Sequence, residues 1–179
     1  MIARILCRMD HTLQRLFRYK AWANDELLTA LAKLGGEAPI TKLAIKALSH
    51  TYVVDRIFAA HLKRKEHAYT SANLSELPTL ENLSADIRAS DREYVDYVSA
   101  LERDQLAERI DFAFTDGAAG CMSREEMLMH VITHGIGHRG QVSADAAQFR
   151  HAGERWFHDL SAQGRSVDET AGRCVMQMS

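Results

Sequence analysis

Cysteine is scarce in this chain of 179 residues. Cys7, Cys121 and Cys174 are widely spaced and odd in number, so they make no disulfide framework and no C-x-x-C pair. That usage fits a reducing, cytoplasmic setting. No apolar run approaches the ~18 residues of a membrane-spanning helix. The opening MIARILCR is too short for a signal peptide, and Met9 would serve equally well as the start, leaving residues 1–8 as a loose extension. Basic residues do not gather into a long run, and the net charge is −2. Neither a dedicated nucleic-acid binder nor a membrane protein is expected. The one basic cluster, Lys63-Arg64-Lys65, falls at a predicted helix C-terminus, where cations complement the helix dipole. There is no internal repeat and no low-complexity tract.

What is present is apolar sequence in helical rhythm, 46% of the residues, enough for one domain with a real core. Asp10 is a candidate cap for a first helix running to Leu34, with Gly35-Gly36 as its stop. Its inward stripe is Leu13, Phe17, Asn24, Leu27, Leu28 and Leu31. Asn24 is the exception there, a buried amide that needs partners. Trp22 and Tyr19 point to the opposite side, where apolar surface signals a partner. Pro39 suits a helix start, and a second helix is expected over residues 41–62. Its stripe is Leu43, Ala47, His50, Val54, Ile57 and His61. After a polar loop ending at Pro78, a third helix is expected over 80–101, packed through Leu80, Leu83, Ile87, Tyr94, Val98 and Leu101. Ile110, Phe112 and Phe114 then alternate as a short extended segment, and Asp116-Gly117 marks a turn.

The segment from Ser123 to Phe149 is the most informative. Ser123 and Glu126 form a capping box ahead of an apolar run. Met127, Val131, His134, His138, Val142 and Phe149 then recur on one helical face. His134 and His138 are one turn apart, so both imidazoles can point at one ion. Their other reading is a pair of core histidines bonded to neighbouring backbone, because imidazoles on an apolar face need some partner. Gly135, Gly137 and Gly140 each cost about 1 kcal/mol inside a helix, so a close approach is expected at them. Gly135 also stands where a zincin would carry its glutamate, which excludes that class. His130 lies at the edge of the face and suits a supporting position better than a ligand position. His50 on the second helix is the candidate third ligand. His61 shares its stripe but sits ~16 Å further along the axis, too far to join. Beyond Phe149 a short helix around Trp156 and Phe157 is expected, then a mobile tail over 161–179.

Four amphipathic helices make an all-α fold, an up-and-down or crossed four-helix bundle with a short extended segment before the last long helix, over residues 9–160. A di-iron centre is not expected, since the E-x-x-H pairs it uses are missing. Tyr19-x-x-Trp22-Ala23-Asn24, Ser49-His50 with Val54-Asp55-Arg56, and His130 to Gln141 (HVITHGIGHRGQ) together resemble the DinB/YfiT-like family across residues 11–149. The resemblance implies a four-helix bundle, often a homodimer, with three histidines on one divalent metal. Carried over by position, those ligands are His50, His134 and His138. After Gly153 this chain departs from the family pattern, which continues with a Gly-Pro turn and a further helix.

Three neutral imidazoles leave an open position, the catalytic rather than the closed structural pattern. Imidazole suits several metals; zinc or nickel is expected first, iron or manganese after them. Some members of the family act as S-transferases and isomerases that use low-molecular-weight thiols. The resemblance therefore implies thiol-dependent transfer or hydrolase-like chemistry on a small-molecule substrate, with catalytic residues unassigned. The alternative is a stress-linked, dimeric metal-binding protein without turnover.

Overall fold

The computed structural model describes residues 12–34 and 38–148. Four long helices carry most of it: α1 (Thr12–Leu34), α2 (Pro39–Leu62), α3 (Leu80–Ala100) and α4 (Arg124–Gln148). A short 3-10 turn at Arg103–Ala107 leads from α3 into two strands, β1 (Arg109–Ala113) and β2 (Ala119–Ser123), which feed α4. The predicted cap at Asp10, the Gly35-Gly36 stop, Phe149, the segment around Trp156 and Phe157, and residues 161–179 lie outside the described residues. Among the described residues, no helix is long and apolar enough to cross a membrane.

The helix starts follow local chemistry. Pro39 opens α2 after an extended Ala38, where its missing N–H costs nothing. The Thr79 hydroxyl accepts the Asn82 N–H at 3.2 Å and caps α3. At α4 the capping box is complete: Glu126 N–H donates to Ser123 Oγ at 3.1 Å, and Ser123 N–H donates to Glu126 Oε2 at 2.6 Å.

The expected single extended segment is one half of an antiparallel hairpin, with Ile110 opposite Met122 and Phe112 opposite Gly120. Its turn holds Gly117 at φ 86°, and Ala118 N–H donates to Asp116 Oδ1 at 3.0 Å. The alternation holds within β1, where Ile110 is buried and Phe112 partly so between exposed neighbours; Phe114 lies past the strand's end and is exposed. β2, Ala-Gly-Cys-Met-Ser, lacks the β-branched residues that mark a strand. It pairs because Gly120 leaves room for a ring across the ladder. A Cβ there would lie 2.5 Å from Phe112 Cζ.

α1 packs on α3 and α4, and α2 packs on the same two helices. Contact with two neighbours gives α2 a wide buried face, through Ile40, Ala44, Leu48, Thr51, Asp55, Phe58 and Leu62. The predicted stripe runs along its edge. Val54 and Ile57 are buried there, His50 and His61 are half-buried, and Leu43 is 45% exposed rather than inward. The interior has two apolar clusters, one around Phe17, Phe58, Tyr94 and Val131, the other around Leu28, Leu48, Leu83 and Val142. Between them, each helix contributes buried polar side chains: Lys20 and Asn24 from α1, Asp55 from α2, Asp91 from α3 and Arg139 from α4.

Candidate metal centre

α2 supplies His50 and α4 supplies His134 and His138, and the packing of these two helices brings the three rings together. Nε2 of His134 lies 3.2 Å from Nε2 of His50 and 3.1 Å from Nε2 of His138. One ligand atom from each residue falls within 4.8 Å of the others. Two nitrogens held tetrahedrally on an ion at about 2.0–2.1 Å are separated by about 3.3 Å, so this spacing fits a shared ion. Among the described residues this is the one such group of histidine, cysteine or carboxylate side chains.

The orientation of His50 supports the same fit. Its Nδ1 lies 3.0 Å from the Ala72 carbonyl. A carbonyl only accepts, so the proton sits on Nδ1 and the lone pair of Nε2 faces the other two rings. Nδ1 of His134 and of His138 is buried without a hydrogen-bond partner among the described residues, so those rings lack this outer support. Burial drives the pKa of His134 down to about 4, helped by the rings of His138, His50 and His130 and by Lys20. Burial and then His50 lower that of His138. Both are therefore neutral near pH 7, the form that binds a metal. All three rings are half-buried, as residues at a helix edge should be.

His130 stands beside this group. Its ring stacks on Phe58 at 4.6 Å and on His134 at 5.5 Å, which steadies the His134 plane. His61 is not brought to the group; it packs on His67 and Phe112 instead.

Sequence reasoning missed the polar layer behind the histidines. Lys20 Nζ donates to Asp55 Oδ2 at 2.7 Å and to Asp91 Oδ1 at 2.6 Å. Asn24 donates to Asp91 Oδ2 at 2.8 Å and accepts from Arg139 Nη1 at 2.9 Å. Burial opposes the Lys20 ammonium, but the two carboxylates outweigh it and raise its pKa. Asn24 is thus the buried amide its place in the stripe implied. Gly135 belongs to the same layer: a Cβ there would lie 3.1 Å from Arg139 Nη1 and 3.6 Å from Lys20 Cε. Gly137 and Gly140 do not share that constraint, since a Cβ at either meets no described atom within 4 Å. The available signal was periodicity: Lys20 falls between Phe17 and Asn24 in the inward rhythm of α1, and Asp91 between Ile87 and Tyr94 in that of α3.

Family membership and the three-histidine cluster are together compatible with metal binding. No curated protein and no solved structure matches the chain. The family model described as DinB family matches residues 9–154, most of the sequence, and the chain belongs to that family.

Proposed function

We propose that the chain is a divalent-metal-dependent enzyme, a four-helix bundle over residues 9–160 in which His50, His134 and His138 hold one ion. The observation that carries this reading is the convergence of three Nε2 atoms, one with its tautomer set by the Ala72 carbonyl. Imidazole suits zinc, nickel, iron and copper alike; zinc or nickel is the ion proposed first, with iron or manganese after them. Such an ion supplies Lewis acidity to a water or a thiol that reaches its open position. The chain's own part is to present neutral imidazoles and to orient them. Burial keeps His134 and His138 unprotonated, the Ala72 carbonyl turns His50, and His130 backs the ring of His134. Family membership supports thiol-dependent transfer or hydrolase-like chemistry on a small molecule, in a homodimer.

Metal analysis of the purified protein tests the site. One equivalent of divalent metal is expected, and it should be lost in His50→Ala, His134→Ala and His138→Ala. Undiminished metal in all three variants would falsify the assignment. A thiol-transfer screen of the loaded protein tests the chemistry. Stoichiometric metal without turnover across that screen would favour the alternative, a metal-binding protein without catalysis.

A further inference from the structure

A second concave site lies along α2, away from the three histidines. His61 is roughly 16 Å of helix rise beyond His50. The loop leaving α2 and the hairpin line an open, shallow cleft of about 600 Å³ there. Phe112 is its central apolar wall, packed on His61 at 4.8 Å and on Phe114 at 4.9 Å. His67 packs on His61 at 5.1 Å, and Tyr69 lies beyond it. Phe114 is 48% exposed, an aromatic face open to a ligand.

The formal charges around the cleft cancel. Among the residues that line it, Arg64 and Lys65 are matched in number by Glu66 and Asp111, and Arg64 also pairs with Glu108 at 2.7 Å. Selection therefore falls to the two imidazoles. Nε2 of His61 and Nδ1 of His67 are closed to solvent and have no hydrogen-bond partner among the described residues. A buried N–H with no acceptor is a rarer and costlier orphan than an unfilled lone pair. A ring with one proton thus keeps its lone pair on the closed nitrogen and the proton on the other. Burial, then the neighbouring His67, lowers the pKa of His61 and keeps it neutral. The donors are then Nδ1–H of His61 and Nε2–H of His67, on two touching rings that both line the cleft.

We propose that this cleft binds a small aromatic molecule bearing a carboxylate or a phosphate. Its ring lies against Phe112 and Phe114, and two of its anionic oxygens accept the imidazole N–H groups of His61 and His67. Both donors are filled by one group, and an anionic oxygen accepts them in stronger, charge-assisted hydrogen bonds than a neutral one does. The site does not depend on metal at His50, His134 and His138.

The test is titration of the full chain with 1-naphthoate, followed by calorimetry and by the ring-nitrogen NMR signals of His61 and His67. Saturable binding with Kd about 1 mM or tighter is expected for a ligand of this size. The neutral isostere 1-naphthylmethanol should bind at least about tenfold more weakly, and so should 1-naphthoate to His67→Phe, a loop variant. His134→Ala should bind naphthoate as the parent does. Equal binding of the alcohol, undiminished binding to His67→Phe, or loss of binding in His134→Ala would each overturn it. The last result would place the probe at the three histidines and leave the metal reading untouched.

Discussion

An ammonium that is 1% exposed persists only while both of its carboxylates are in place. Lys20→Met would leave Asp55 and Asp91 facing each other in the interior with Arg139 as the nearby cation but no ammonium bonded between them. Breaking one partner of a buried pair costs about 3–5 kcal/mol, and denaturant unfolding should show a loss of that order with the fold intact at low temperature. An unchanged midpoint would mean that water reaches the carboxylates. The histidines set a different dependence, on pH. His134 has a pKa of about 4 in the folded protein against about 6.5 when unfolded. Between those values the unfolded chain binds more protons, so stability rises with pH there. The contribution is complete above pH 6.5 and is lost as pH falls towards 4. Metal-free protein should therefore unfold more readily at pH 5 than at pH 7, and His134→Phe should flatten that slope. Single residues were legible when an amide or an imidazole interrupted an apolar stripe. Asn24, His50, His134 and His138 met that condition. Lys20 occupies the same stripe, but a long cation reads as one that extends to water. Its burial depends on Asp55 and Asp91, from two other helices, which no local pattern reveals.

Helices were legible in type and nearly in extent, because helix starts are written locally: Pro39 and the Ser123–Glu126 box act where they stand. The orientation of α2 was not. A stripe read as the centre of its face is the edge, since the face widens where two helices cover it. That displacement is what leaves His50 and His61 half-open instead of sealed in. The hairpin was half legible, with β1 betrayed by alternation and β2 silent. β2 is specified instead by what it omits, a side chain beneath Phe112. Gly120→Val would force the Phe112 ring aside, and overpacking of this kind costs about 1–3 kcal/mol. Thermal unfolding should show the loss, along with a changed Phe112 environment in the aromatic NMR spectrum. A melting curve identical to the parent's would show that the ring swings clear at no cost.

For the whole molecule, the open question of assembly turns on the outer side of α1. Tyr19 is 52% exposed, and its ring lies 5.5 Å from that of the half-covered Trp22. Aromatic pairs of this kind bury large area at small entropic cost when a partner covers them. Light scattering at micromolar concentration should give the mass of a homodimer, and Trp22→Glu should halve it. A monomeric parent defeats the proposal, whereas a dimer that survives the substitution moves the contact elsewhere. Within one chain, the polar layer between the two apolar clusters decides a matter that burial leaves nearly open. Two greasy helices slipped past each other by one turn, about 5.4 Å, still set leucine against leucine. Lys20, Asn24, Asp55, Asp91 and Arg139 cannot tolerate the slip, because each would face a hydrocarbon with its charge or amide unmatched. The layer works as the wards of a lock: of several alignments with similar grip, it admits one, and that one sets His50 level with His134 and His138.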